Sequence, residues 1–282
     1  MKTIDVARII PVIKKLCIDA NYYIAPDVVA KVNEFLAQEE SPTGREVLQI
    51  MQRNYELAAR LQMPLCQDTG VAVIFVELGQ DVHLTGGDFN EAINEGVRQG
   101  YTDGYLRKSL VGDPIVSRRN SGDNTPAMIY TEIVPGETIN ITVLPKGGGA
   151  ENMSAIKMLN VADGLSGVLD FVVECVRRAG GRPCPPVVVG VGLGGNFEQS
   201  AFLAKKSLLR PLTEKNPDPQ WAAVENELLG RINRLGIGPQ GLGGTTSALT
   251  VSILAKPCHI ASLPVAVNID CHCHRHASAV IE

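Results

Sequence analysis

The stretch from Val71 to Leu78, Val-Ala-Val-Ile-Phe-Val-Glu-Leu, restricts the fold of this 282-residue chain more than any other. It is a near-continuous run of β-branched and apolar residues, the pattern of a strand buried on both faces, and such a strand needs other elements packed over it. The preceding residues supply them. Pro26 followed by Val28, Val29, Val32, Phe35 and Leu36 makes a stripe of 3.6-residue period. Ser41-Pro42 then offers an N-cap and a first-turn proline for a helix through Leu61. The N-terminus carries Asp5, Arg8, Lys14 and Lys15 within its apolar pattern and no small-residue cleavage site, so it reads as a helix rather than a secretion signal.

Downstream, Asp88 to about Leu110 is expected to be helical. Ala127–Val134 and Thr138–Leu144 read as strands around Pro135-Gly136-Glu137, a hairpin signal. A short helix and a longer one ending at Gly180-Gly181 should follow Lys146-Gly147-Gly148-Gly149. Then come a strand at Pro186–Val191, helices at Phe197–Leu209 and Trp221–Leu235, and strands at Leu249–Leu254 and Leu263–Ile269. The expected class is α/β, a mixed α+β fold whose partly antiparallel sheet is flanked by helices. Residues 1–282 read as one domain with room for two sub-lobes, and Pro211 to Pro219 is the best internal break.

Composition removes whole classes of function. With 45% hydrophobic and 20% charged residues the chain is not a disordered tail. A net charge of −4 provides no basic field for nucleic acid or an anionic membrane, so an acidic substrate needs local traps. The longest apolar stretch, Pro185 to Leu193, is interrupted by Gly190 and Gly192 and is far shorter than the ~20 residues that span a bilayer. A cytoplasmic location is expected. Seven cysteines, an odd number, then read as buried thiols, metal ligands or nucleophiles rather than disulfides.

Several segments could carry chemistry. Cys66-Gln67-Asp68-Thr69-Gly70 puts a thiol, an amide and a carboxylate on a polar turn before the buried strand; a ligand set and a structural turn are both open there. Gly147-Gly148-Gly149 follows a strand and precedes a helix, a seat for a carboxylate or phosphate. Gly190-Val191-Gly192-Leu193-Gly194-Gly195 fits a dinucleotide fingerprint but lacks the second strand and acidic residue that the fingerprint needs. Close backbone packing or a second ligand-facing loop is the better reading, and an NAD-dependent oxidoreductase a distant one. Gly241-Leu242-Gly243-Gly244-Thr245-Thr246 stays ambiguous. Cys17 and Cys175 lie in amphipathic helices and read as core, whereas Cys184, between Pro183 and Pro185-Pro186, is a ligand candidate or a buried thiol at a strand entrance. Cys258 and Cys271-His272-Cys273-His274-Arg275-His276 complete the set. The latter is either a metal-binding tract, as in a zinc-binding assembly subunit, or a polar chain end. No two thiols form a C-x-x-C pair, which argues against a closed zinc ribbon and for a site assembled only on folding.

Met63-Pro64-Leu65-Cys66-Gln67-Asp68-Thr69-Gly70, Asn120-Ser121-Gly122-Asp123-Asn124-Thr125-Pro126-Ala127, Lys146-Gly147-Gly148-Gly149 and His259-Ile260-Ala261-Ser262-Leu263-Pro264-Val265-Ala266 together resemble the α subunits of class I, iron–sulfur-dependent fumarate hydratases and the closely similar L-tartrate dehydratases. The resemblance implies a [4Fe-4S] cluster on Cys66, Cys184 and Cys271, with Cys273 an alternative third ligand, and one iron left for substrate. It implies Asp68 as proton donor to the leaving hydroxyl, Gln67 as an orienting group and Arg107 as a carboxylate clamp. Amides near Gly148 and Gly149 would hold carboxylate oxygen, and His259 would contact or position substrate. It further implies reversible hydration of fumarate to L-malate, with tartrate dehydration as the alternative. The chain ends soon after Cys271, so a separately encoded β subunit is expected to complete a hetero-oligomer and supply the base.

Overall fold

The computed structural model describes residues 2–282. The chain divides into two compact units, Met1–Ile24 with Tyr55–Gly148 and Arg275–Glu282, and Ala25–Asn54 with Gly149–His274. The proline-containing segment 211–219 therefore lies inside the second unit, not at a boundary. The class is mixed α/β as expected, with parallel and antiparallel pairing in both units. No helix of the described residues is long and apolar enough to cross a membrane.

The first unit begins with a strand, not the expected helix. β1 (Lys2–Asp5) pairs in parallel with β3 (Val82–Thr85), burying Ile4 completely. Asp5 then accepts the Ala7 N–H at 2.8 Å and turns the chain, so that helix α1 starts only at Ile9 and runs to Tyr22. The main sheet has the order β10 (Ala277–Ile281), β5 (Ile139–Lys146), β2 (Val71–Gly79), β4 (Met128–Val134).

The hairpin expectation at residues 135–137 fails. β4 and β5 do not pair with each other; they flank β2, β4 in parallel and β5 antiparallel. The reason is hydrophobic. Ala72 to Val76 of β2 are all buried, which demands a neighbour on each side, whereas β4 is half exposed and suits an edge. β10, short and only partly buried, carried too weak a pattern to be foreseen.

Helices α1 and α4 (Phe89–Asp103) cover the sheet. Their apolar faces, among them Ile9, Ile13, Ile93, Val97 and Tyr101, join Ile74, Val76, Ile139, Ile141 and Val143 in one core. Each such fully buried side chain is worth roughly 1.5–3 kcal/mol of transfer free energy. α4 is shorter than expected: Asp88 caps it through the Glu91 N–H at 2.9 Å and Gly104 ends it. Arg107 therefore lies beyond the helix, in irregular chain.

In the second unit the sheet order is β6 (Ala155–Leu159), β9 (Leu263–Asp270), β7 (Val187–Gly195), β8 (Ala248–Cys258). β6, a half-exposed edge strand, was not foreseen, for the same reason as β10. α6 (Gly164–Ala179) and α8 (Pro219–Asn233) share a core with β7, and α7 (Phe197–Ser207) lies against the same strand. The Gly190–Gly195 motif is inside β7 and makes no phosphate-binding turn. A Cβ on Gly190 would sit 2.1 Å from the Ala204 carbonyl oxygen and one on Gly192 2.0 Å from that of Ser200. These glycines let α7 lie on the strand, the close-packing reading. α2 (Pro26–Gln38) and the first part of α3 (Pro42–Leu61) also belong to this unit.

Candidate active site

In the first unit the turn after α3 is built around Asp68. Leu65, buried, anchors its start through its own N–H to the Asn21 carbonyl at 2.8 Å. Cys66 is then half-buried, Gln67 exposed and Asp68 half-buried. Asp68 Oδ1 accepts the Gly70 N–H at 3.0 Å and Oδ2 accepts the Gly148 N–H at 2.8 Å. Gly70 has φ +72, and a Cβ there would lie 2.6 Å from the Lys146 carbonyl carbon, so no other residue fits. The carboxylate is thus pinned on both oxygens, and each oxygen keeps a further lone pair for proton exchange.

Residues that sequence reasoning gave no role hold this turn. The Tyr101 hydroxyl, completely buried, donates to the carbonyls of Thr69 and Gly70 at 2.8 and 3.1 Å. Asn124 Nδ2 donates to the Gly70 carbonyl at 3.1 Å while its Oδ1 accepts the N–H groups of Ser109 and Leu110. Arg275 donates to the Asp68 carbonyl. Thr69 Oγ1 donates to the Arg107 carbonyl at 3.0 Å, which ties the Arg107 segment to the same turn and leaves its side chain exposed. Asn124 lies in one of the motifs carrying the resemblance. Tyr101 is indistinguishable by sequence from a core aromatic of α4.

The second unit carries the other expected residues. Cys184 is exposed and has φ +54, a left-handed conformation that costs a cysteine on the order of 1–3 kcal/mol and persists only where surrounding contacts impose it. Its carbonyl accepts the His272 N–H at 3.3 Å, so the Cys184 turn and the Cys271-His272 turn meet. Cys271 is half-buried; Cys273 is buried, with its sulfur 3.5 Å from His272 Nδ1. His259 is exposed on the β8–β9 connection. Its Nδ1 accepts the Ala261 N–H at 3.1 Å. Gly149 lies in the expected short helix, α5 (Gly148–Glu151), whose Glu151 accepts from Lys205 Nζ at 2.6 Å and Asn268 Nδ2 at 3.1 Å.

The Gly148 N–H, assigned by the resemblance to a substrate carboxylate, is here engaged by Asp68. Cys66, Gln67, Asp68, Arg107 and Gly148 belong to the first unit, and Gly149, Cys184, His259 and Cys271 to the second. Among the described residues, no three His, Cys, Asp or Glu side chains are gathered as a metal site. Burial pushes the Cys17 thiol up to about 12 and the Cys175 thiol up to about 11, so both stay protonated at neutral pH, as core thiols should.

Similarity to known proteins places the chain among the hydro-lyases. It belongs to the fumarate hydratase (Fumerase) family, whose model matches residues 10–280. A Methanocaldococcus jannaschii protein named "Putative L(+)-tartrate dehydratase subunit alpha" is 40% identical over 276 residues, 96% of each chain. The L(+)-tartrate dehydratase subunit alpha of Escherichia coli is 33% identical over 257 residues, 90% of this chain and 84% of that one, and its Shigella sonnei counterpart matches equally.

Proposed function

We propose that this chain is the α subunit of a two-subunit hydro-lyase that carries a substrate-binding [4Fe-4S] cluster on Cys66, Cys184 and Cys271 and, with a separate β subunit, reversibly hydrates fumarate to L-malate. The observation that carries the reading is the Asp68 carboxylate, fixed through both oxygens two residues from Cys66. The donor chemistry fits the cluster: three thiols on turns, outside the apolar interior that holds Cys17 and Cys175. The burial of Cys273 favours Cys271 as the third ligand. When bound, the cluster supplies a Lewis-acidic iron without a fourth protein ligand, suited to polarising the C2 hydroxyl.

The chain's own groups do the rest. In dehydration Asp68 delivers a proton to the departing hydroxyl, and in hydration it takes one from water. Its two amide bonds fix where that proton travels. Arg107, exposed beside the turn, grips a carboxylate through two parallel charge-assisted hydrogen bonds. Gln67 orients the substrate, the Gly149 segment lines its second carboxylate, and His259 contacts it. The base at C3 is assigned to a partner subunit, and the "subunit alpha" of its relatives' names supports reading this chain as one half of a hetero-oligomer.

Those names also carry a second reading, L-tartrate dehydration, which differs by one hydroxyl on the substrate. The test is an anaerobic assay of the cluster-loaded chain with its partner on fumarate, L-malate and L-tartrate. Fumarate and malate turnover at least about tenfold above tartrate is expected, a margin of ~1.4 kcal/mol in transition-state binding. A tartrate preference would establish the second reading. Turnover of none of the three, or full activity without the partner, would contradict the proposal.

A further inference from the structure

The Gly241-to-Thr246 motif has no place in the chemistry above, yet its surroundings in the second unit give it one. On one side lies Glu39, completely buried where α2 ends. Its carboxylate accepts the N–H of Thr245 at 2.9 and 3.1 Å, that of Thr246 at 2.8 Å and that of Ser41 at 2.9 Å. Gly44 and Gly244 leave room for it: a Cβ on either would come within 2.9 and 2.7 Å of Glu39 side-chain atoms.

On the other side the same turn presses on the segment that presents Cys184. The Gln240 N–H donates to the Pro185 carbonyl at 2.7 Å. A Cβ on Gly241 would lie 2.7 Å from the Gly181 Cα, and one on Gly181 3.3 Å from the Gln240 carbonyl oxygen, so backbone meets backbone with no side chain between. Gln240 itself has φ +54, as does Cys184. Two non-glycine residues are thus held in left-handed conformations on facing strands of chain. That state is imposed by neighbours and is not intrinsic to either residue.

We infer that Glu39 and the Gly238–Thr246 turn form a brace that fixes the backbone of Cys184 and so aims its thiolate, with Glu39 as a positioning residue two contacts removed from the sulfur. The inference rests on the reading of Cys184 as a cluster ligand. An acidic side chain is needed because four short amide contacts converge on it from two chain segments. A glutamine must turn its NH2 group toward some of those N–H donors and lose them.

The test compares Glu39→Gln and Gly241→Ala with Asp27→Asn, which removes another α2 carboxylate of the same unit that accepts a backbone amide, from Leu212 at 2.7 Å. On the cluster-free full chain, iodoacetamide labelling of Cys184 is followed by peptide mass spectrometry, with exposed Cys258 as internal standard. On the anaerobically loaded chain, iron release to a chelator is timed. Glu39→Gln and Gly241→Ala are expected to raise the Cys184/Cys258 labelling ratio at least about threefold and to speed iron release about tenfold, the scale on which loss of a group that orients a metal ligand weakens metal binding. Asp27→Asn should leave both near wild type whatever it does to the melting temperature. Should Glu39→Gln not fold, Gly241→Ala decides alone. An unchanged ratio in the brace variants, or an equal change in Asp27→Asn, overturns the brace. A wild-type chain that takes up no iron instead contradicts the cluster reading, and the labelling ratio still reports on the brace.

Discussion

Replacing Cys184 with serine should leave a chain that folds but cannot retain its cluster, with iron and labile sulfide below about a tenth of the wild-type content after anaerobic reconstitution. Serine is nearly isosteric with cysteine, so the turn held by Gln240 and His272 survives, while its oxygen is a hard, poorly ionised ligand where iron–sulfur chemistry needs a thiolate. Cys66→Ser should behave alike. The contrast lies in Cys17→Ser and Cys175→Ser. Both sulfurs are buried among apolar side chains and held protonated, so their loss should cost stability, about 1–3 kcal/mol for burying a hydroxyl, while loading stays at wild-type level. Iron and sulfide assays beside thermal melts separate the two groups. A Cys184→Ser chain that stays brown and iron-replete would remove Cys184 from the ligand set.

The second large effect belongs to Asp68. Asp68→Asn keeps the shape of the side chain and removes its exchangeable proton, so kcat of the loaded complex should fall by roughly 10²–10⁴ while KM moves little, the signature of a group acting in the transition state. The substitution also turns an NH2 group toward the Gly70 or Gly148 N–H, at a cost of about 1–3 kcal/mol in stability. Cluster content should be unaffected, because the Asp68 carbonyl, tied to Arg275, is unchanged. Steady-state kinetics with a parallel iron assay checks this. A variant within about threefold of wild-type kcat would take the proton-transfer role from Asp68.

What could be read from sequence followed the strength of the local signal. β2 was legible because its apolar run has no other stable arrangement, and the α4 start because Asp88 caps it. The partners of β2 were not legible: a proline-glycine turn between two strand-like runs specifies a reversal of direction, but not whether a third strand lies between them. The edge strands β6 and β10 are too short and too exposed for periodicity to register. At the site, the Cys66–Gly70 turn stood out by composition. Its support did not, since Tyr101 acts through tertiary hydrogen bonds to backbone from a distant part of the chain. The Gly190–Gly195 motif was legible in spite of its spacing: the missing acidic residue argues against a nucleotide turn, and its surroundings show it to be a packing device.

The proposed cluster is decided by the iron and acid-labile sulfide content of the full chain prepared without air. About four of each per chain, with a broad visible absorption that fades on aeration, is the predicted result. A colourless protein that takes up no sulfide on reconstitution and holds one zinc instead would contradict it.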